Sequence, residues 1–128
     1  MYKKKLSPGQ EFQQSITVSQ NDTAAAYGSG NVDVLATPAL VALMEGTALT
    51  CVQPFLSDGF VTVGTNVCIK HIKATPVGMQ VLCKAVLKKV EGARLVFDVE
   101  ARDETGTLGY GTHERFVVNL SDFMKRVK

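Results

Sequence analysis

The sequence is poor in residues that bind metals or form disulfides, with only two histidines and three cysteines among its 128 residues. Cys51, Cys68 and Cys83 show no Cys-x-x-Cys spacing, and each lies in an apolar segment, which is typical of reduced thiols in a core. His71 and His113 have no cluster of further Cys, His or carboxylate ligands near them in the sequence. We therefore expect no disulfide framework and no metal site.

A large excess of charge of one sign is also missing, because 14 Lys and Arg oppose 12 Asp and Glu for a net charge of +2. Without a sustained basic stripe, nucleic acid is not an expected partner. The longest uncharged apolar stretches, residues 34–44 and 46–57, are far shorter than the roughly 20 residues that cross a bilayer. Lysines at 3–5 are followed by polar residues 7–11 where a secretion signal needs an apolar core, so we expect a cytoplasmic protein without a membrane segment.

Apolar residues are plentiful, at 45% of the chain, and favour one globular domain over its whole length. Alternating apolar positions in residues 11–19 predict a first strand. Thr37-Pro38 then offers a hydroxyl N-cap and a proline at the first helical position, so we expect a helix over residues 39–52 that Pro54 ends. This helix is apolar almost all round, which indicates burial on most sides.

The second half of the chain alternates apolar and polar residues in four stretches that are separated by tight turns. These predicted strands are residues 61–71, 80–90, 95–101 and 108–118. Strands joined by hairpins pair antiparallel, so the predicted fold class is α+β, with one antiparallel sheet and one long helix packed on it. One sheet face gives too little cover for such a helix, and we expect a second subunit to cover the helix or the sheet edge.

Three polar side chains stand out against this apolar background. Glu45 is the only charged residue of the predicted helix, where a carboxylate is costly unless it transfers protons, reaches the helix edge or binds a cation. His71 ends the apolar face of its strand, where a histidine is either a proton carrier or a hydrogen-bonded rim residue. Thr37 is expected to cap the helix, with its hydroxyl at the positive helix end that stabilises an oxyanion. Thr37 and Glu45 lie roughly 12 Å apart along a straight helix, so they flank one group or work with a partner subunit.

Gly64 interrupts a run of β-branched residues in the same strand as His71. A glycine inside a strand marks a bulge or the close approach of another group, such as a ligand. Regular alternation over residues 61–71 predicts that Gly64 and His71 point to opposite faces. His113 stands beside charged residues in the last strand, and we expect it to be solvated or at an interface.

Four segments of the chain are familiar in combination: ATPALVALME at 36–45, VTVGT at 61–65, IKH at 69–71 and GYGTHERF at 109–116. In this order they resemble the hotdog-fold thioesterases of the fluoroacetyl-CoA thioesterase type, and the similarity extends from about residue 11 to residue 118. The resemblance implies an antiparallel sheet wrapped around one long helix. It also implies a homodimer with a continuous sheet, or a dimer of dimers, and an acyl-CoA substrate at the subunit interface.

The resemblance implies catalytic roles for Thr37, Glu45 and His71. The backbone N–H of Gly64 is expected to help hold the thioester carbonyl. Glu45 attacks the carbonyl directly or activates water, His71 handles a proton and Thr37 orients the acyl group. The sequence leaves open which of the two routes Glu45 follows.

Substrate-binding residues are expected at Gly64, Asn31, Lys70 and Arg115. Lys70, Lys73 and Arg115 are candidates for contacts with the CoA phosphates. Residues 28–33 read GSGNVD, whereas the fluoroacetyl-specific family member has aromatic gate residues ahead of the catalytic threonine. We therefore expect hydrolysis of a small or medium acyl thioester to free acid and CoA, with no cofactor beyond the substrate.

Two other functions stay open at this point. A non-catalytic acyl-CoA binding module would keep the pocket but has no need of an acid at Glu45. Another hotdog enzyme, such as an acyl-thioester dehydratase, would act on a hydroxyacyl or enoyl chain without cleaving it. The sequence also leaves open whether CoA or a carrier protein holds the acyl group.

Overall fold

A computed structural model describes residues 1–127 and contains a five-stranded sheet, one long helix and two short helices. The strands are β1 (Glu11–Thr17), β2 (Phe60–His71), β3 (Gln80–Glu91), β4 (Arg94–Asp103) and β5 (Gly106–Asn119). The helices are α1 (Ala24–Tyr27), α2 (Thr37–Val52) and α3 (Leu120–Arg126). No helix in the described part of the chain is long and apolar enough to span a membrane.

The sheet has the strand order β1-β3-β4-β5-β2, and every neighbouring pair is antiparallel. The strands β3, β4 and β5 follow one another through tight turns, the first of which has Gly92 at a φ of 62°. β1 and β2 form the two edges, since each pairs with only one neighbour. The predicted α+β fold with one antiparallel sheet and one long helix is confirmed.

Helix α2 packs on one face of this sheet. Its buried residues are Ala39, Leu40, Leu43, Met44, Thr47, Ala48, Cys51 and Val52. They meet inward-facing residues of β3 and β4, among which Phe97 and Leu87 are completely buried. The side of α2 that faces away from the sheet is more open, with Ala42 and Leu49 exposed. The prediction of burial on most sides therefore holds for only one side of α2 within one chain.

The three cysteines occupy different environments. Cys51 on α2 and Cys83 on β3 are buried free thiols, as expected, and burial raises the pKa of Cys51 to about 11. Cys68 is exposed on the edge strand β2, so the prediction of a core thiol is wrong there. Its apolar neighbours in the sequence suggested burial, but Cys68 pairs with the exposed Thr112 and lies on the face of the sheet away from α2.

A β-bulge in β2 changes which residues face α2. Gly64 pairs with Arg115 and Asn66 pairs with Glu114, so Thr65 is an extra residue without a partner in the ladder. An extra residue reverses the inward and outward alternation beyond it. Residues on either side of the bulge therefore face α2 at both even and odd positions, and the predicted uninterrupted alternation over residues 61–71 is wrong.

Candidate active site

Thr37 and His71 meet where α2 begins and β2 ends. Thr37 Oγ1 lies 2.8 Å from His71 Nδ1, a hydrogen-bond distance. The residue in the N-cap position is Ala36 rather than Thr37, which is the first residue of α2. The predicted capping role of Thr37 is therefore wrong, and its hydroxyl contacts the imidazole instead. We refer to these two residues as the threonine–histidine pair.

The other ring nitrogen of His71 is available for chemistry. His71 Nε2 is buried and has no hydrogen-bond partner within residues 1–127. Burial lowers the pKa of His71, and an interaction with the backbone of Lys73 opposes this only in part. The imidazole is therefore mainly neutral near pH 7, the form that can accept a proton.

The segment after His71 holds the threonine–histidine pair together. The N–H of Leu35, which precedes α2, donates to the carbonyl of Thr75 at 2.9 Å. The side chain of Thr75 in turn donates to Asp103 Oδ2 at 2.7 Å, and Lys73 forms an ion pair with the same carboxylate. Burial alone would raise the pKa of Asp103, but hydrogen bonds from Lys73, Thr75 and Thr105 outweigh it and hold the pKa far below its ordinary value. A charged, fully buried carboxylate thus anchors this segment to the turn between β4 and β5.

A cavity of about 430 Å³ opens beside the threonine–histidine pair. Its lining includes Ala24 from α1, Gly30 and Val32 from the loop before α2, and Lys73. The predicted substrate-binding residue Asn31 lies between two lining residues but does not itself line this cavity. Apart from His71 and Lys73, the walls are made of small and aliphatic side chains, with no Phe, Tyr or Trp among them.

Glu45 lies in a second cluster, about two turns further along α2. Its Oε2 is 3.7 Å from Arg115 Nη1, and its side chain is 38% exposed. Gly64 packs directly against the same carboxylate, since a methyl group at Gly64 would lie 2.5 Å from Glu45 Oε2. The sequence analysis expected a bulge or a close approach at Gly64, and both are present: the bulge follows Gly64, and the approaching group is the Glu45 carboxylate. We call Glu45, Gly64, Thr62, His113 and Arg115 the carboxylate cluster.

Arg115 is held inside the sheet rather than at its surface. Its Nε donates to Thr62 Oγ1 at 2.8 Å, and its Nη2 donates to the Thr62 carbonyl at 3.0 Å. Only 4% of the residue is exposed. The guanidinium faces Glu45, so this arrangement does not offer it to the CoA phosphates, the contact for which the sequence analysis selected it. Of the other two candidates, Lys70 pairs with Tyr110 and lies exposed on the opposite face of the sheet, and Lys73 lines the cavity but is ion-paired with Asp103.

His113 is buried, with 1% exposure, so the prediction of a solvated or interface histidine is wrong. His113 Nδ1 lies 2.8 Å from the carbonyl oxygen of Asn66, and His113 Nε2 lies 3.1 Å from Arg115 Nη1. Burial lowers the pKa of His113, opposed by the Asn66 hydrogen bond and assisted by the charge of Arg115. Its position at an inward site of β5, two residues from Arg115, was the signal for burial, but the neighbouring charges in the sequence concealed it.

The threonine–histidine pair and the carboxylate cluster are separate within one chain. Gly64 and His71 are seven residues apart on β2, which corresponds to roughly 20 Å at the rise of a strand. Thr37 and Glu45 are eight residues apart on α2, or roughly 12 Å. No hydrogen bond joins the two groups within the described chain. Residues 1–127 also contain no group of three or more His, Cys, Asp or Glu placed to hold a metal ion.

Comparison with known proteins gives consistent similarities. The family described as fluoroacetyl-CoA-specific thioesterase, FlK, matches residues 18–121. A fluoroacetyl-CoA thioesterase from Streptantibioticus cattleyicolor is 41% identical over 96 residues, which cover 75% of this chain and 69% of the relative. A crystal structure of the fluoroacetyl-CoA thioesterase FlK superposes with a TM-score of 0.92 at 34% identity, covering 96% of each chain. A thioesterase superfamily member from Thermus thermophilus superposes with a TM-score of 0.87 at 28% identity, covering 94% of this chain and 90% of its own.

Proposed function

The chain belongs to the fluoroacetyl-CoA-specific thioesterase family, and from this premise we propose that it hydrolyses acyl-CoA thioesters with Thr37, Glu45 and His71 as catalytic residues. The observation that carries the proposal is the hydrogen bond between Thr37 and His71, which leaves a buried, unpaired Nε2 at the catalytic histidine. A positioned imidazole with one free nitrogen is the arrangement that general acid–base catalysis needs. An adjoining cavity of about 430 Å³ provides room for the acyl group.

Hydrolysis divides the work between the two groups of residues. An oxygen atom attacks the thioester carbonyl carbon, negative charge develops on the carbonyl oxygen, and the carbon–sulfur bond then breaks. The attacking oxygen belongs to Glu45 itself, or to a water molecule whose proton Glu45 removes. The backbone N–H of Gly64 stabilises the developing oxyanion. When water attacks, Glu45 takes one water proton, and neutral His71 Nε2 accepts the second from the new hydroxyl group and passes it to the CoA sulfur as the carbon–sulfur bond breaks. When Glu45 attacks, CoA leaves as a thiolate and water then hydrolyses the Glu45–acyl anhydride. Neutral His71 Nε2 accepts a proton from that water, which finally protonates the thiolate.

A homodimer would unite the two groups. The outer edge of β2 is unpaired within the chain, and antiparallel pairing of two such edges sets the end of one strand against the beginning of the other. With the two strands centred near Val67, His71 of one copy approaches Gly64 of the partner subunit. The open side of α2, where Ala42 and Leu49 are exposed, offers further apolar surface to the second copy.

A small or medium acyl group is the proposed substrate. Apart from His71 and Lys73, the cavity beside the threonine–histidine pair is lined by small and aliphatic residues, so no Phe, Tyr or Trp side chain restricts it to the shortest acyl chains. Lys70 stays the proposed contact for the CoA phosphates, while Arg115 is reassigned to holding the Glu45 carboxylate. The proposed reaction needs water and these side chains only, without a cofactor. The exposed free thiol of Cys68 supports a reducing compartment such as the cytoplasm.

The test is thiol release from a series of acyl-CoAs, from acetyl to decanoyl, with phenylacetyl-CoA and fluoroacetyl-CoA included. We expect hydrolysis of some members by the unmodified protein and its loss in Glu45→Ala. Asp58→Ala is the matched control, because Asp58 is an exposed carboxylate in a turn outside both groups. Saturable acyl-CoA binding without thiol release would identify a binding module instead. Hydration of crotonyl-CoA without thiol release would identify a dehydratase.

A further inference from the structure

The β-bulge of β2 has a geometric consequence for the proposed site. Gly64 and His71 are seven residues apart, so in a regular strand they would point to opposite faces. The extra residue Thr65 reverses the alternation, and both Gly64 and His71 face α2. Without the bulge, the Cβ direction of Gly64, where the Glu45 carboxylate packs, and the imidazole of His71 would not share a face of the sheet.

The bulged residue is fastened on the outer face of the sheet. Thr65 Oγ1 donates to Glu114 Oε2 at 2.7 Å and lies 3.3 Å from the Glu114 carbonyl. Glu114 Oε1 accepts a hydrogen bond from Arg94 Nε at 2.5 Å. Arg94 also forms an ion pair with Glu91 at the hairpin between β3 and β4. Thr65 has no partner in the ladder. The hydrogen bonds from Thr65 to Glu114 and from Arg94 to Glu114 are therefore what fixes Thr65 to the neighbouring strands.

The same bulge is fastened on the inner face by the carboxylate cluster. The carbonyl of Asn66, which follows the bulged residue, accepts a hydrogen bond from His113 Nδ1 at 2.8 Å. His113 contacts Arg115, and Arg115 lies beside Glu45. The backbone of Thr65 and Asn66 is therefore held from both sides, and the Glu45 carboxylate is connected to the outer-face residues through it.

We propose that Thr65, Glu114 and Arg94 are positioning residues, which hold the β2 bulge so that the Gly64 N–H and the Glu45 carboxylate meet the thioester carbonyl in the reactive geometry. We call these three residues the outer latch. The proposal rests on the function proposed above, because it assigns the outer latch to the same site. Displacements of about 1 Å in catalytic groups cost on the order of 100-fold in rate, so a bulge that shifts lowers turnover even where the fold persists.

A purely structural alternative makes a different prediction. Exposed ion pairs and hydrogen bonds usually contribute little to stability, and by that view loss of the outer latch changes neither stability nor catalysis. The outer-latch proposal instead requires a fall in kcat with KM nearly constant, since the shifted groups act on the transition state.

The test compares Thr65→Val with Thr65→Ser in the full chain. Valine keeps the shape and strand preference of threonine but removes the hydroxyl, while serine keeps the hydroxyl. We expect kcat to fall about tenfold in Thr65→Val with KM within about twofold, and to recover in Thr65→Ser. Glu114→Gln keeps an acceptor for Thr65 but loses the Arg94 ion pair, so an intermediate loss is expected. Thr112→Val is the control, because Thr112 is an exposed β5 threonine whose side chain forms no hydrogen bond within residues 1–127.

A second readout is independent of catalysis. The amide ¹H–¹⁵N resonance of Gly64 reports the bulge geometry directly, and we expect it to move in Thr65→Val but not in Thr112→Val. An unchanged kcat together with an unmoved Gly64 resonance in Thr65→Val overturns the outer-latch proposal. If the unmodified protein hydrolyses no acyl-CoA, the proposed function fails, and the Gly64 resonance alone then decides whether the outer latch holds the bulge.

Discussion

Thr37 Oγ1 and His71 Nδ1 lie 2.8 Å apart, although 34 residues separate them in the sequence. Thr37→Val removes the hydroxyl at nearly constant volume and leaves the ring of His71 unoriented. We expect kcat/KM for the best acyl-CoA to fall about 100-fold, in the range of general acid–base contributions, and to stay within about tenfold in Thr37→Ser. Steady-state thiol release measures both variants, with Thr50→Val as the control at an exposed position of α2. Equal losses in the serine and valine variants would argue against a role for the hydroxyl.

The pH profile of hydrolysis should report the state of His71. Burial lowers the pKa of His71 below its ordinary value of about 6.5. The neutral imidazole is the active form in the proposed mechanism, so kcat/KM falls as the pH decreases through that lowered pKa and is constant above it. The acid limb of a kcat/KM profile between pH 4.5 and 8 gives this value, and NMR titration of the His71 ring provides an independent measurement. An acid limb with a midpoint above 6.5 would contradict the assignment.

Gly64→Ala should disturb catalysis far more than stability. The added methyl group would lie 2.5 Å from Glu45 Oε2 and 3.3 Å from His113 Cε1, so the carboxylate must move. We expect at least about a 100-fold fall in kcat. Gly46→Ala is a useful comparison, because its methyl group meets only Gln14 Nε2 at 3.8 Å and a helical Gly-to-Ala change stabilises by roughly 0.5–1 kcal/mol. Full activity in Gly64→Ala would show that neither Gly64 nor its contact with Glu45 is needed for catalysis, and would contradict their place in the proposed site.

The proposed dimer can be tested with a natural cysteine. Cys68 lies near the centre of the exposed β2 edge, whereas Cys51 and Cys83 are buried. Pairing of two β2 strands near Val67 brings the two Cys68 thiols close to the dimer axis, so a short bifunctional maleimide should yield a covalent dimer on denaturing gels. Cys68→Ser should abolish the product while size-exclusion chromatography still shows a dimer. A dimer in solution that never cross-links through Cys68 would indicate another interface.

Much of this architecture is accessible from the sequence. The apolar helix with its single acid, the alternating strands and the short turns predicted the sheet, helix α2 and the separation of Thr37 from Glu45. Each of those features depends on residues close together in the chain, where periodicity and turn chemistry dominate. The contact between Thr37 and His71 did not follow from spacing, because it depends on how the end of β2 lies against the start of α2.

The wrong predictions share a physical origin in the β2 bulge and in tertiary burial. Counting alternate residues assumes an uninterrupted strand, and one extra residue at Thr65 reassigns every later side chain to the other face. His113 was expected to be solvated or at an interface and Arg115 to contact the CoA phosphates, yet they bury each other beside Thr62 and Glu45. Cys68 was expected inside because its neighbours are apolar, yet beyond the bulge it lies on the face of the sheet away from α2. Such pairings between distant segments are not encoded in local composition.

The separation of the proposed catalytic residues Thr37 and Glu45 along α2 has a consequence for how mutant alleles of the proposed dimer combine. Each copy supplies its threonine–histidine pair to one site and its carboxylate cluster to the other. A dimer assembled from one chain damaged at Thr37 and one chain damaged at Glu45 therefore concentrates both defects in a single site and leaves the second site whole. Two inactive alleles of this protein would complement each other, and two copies of the same allele would not.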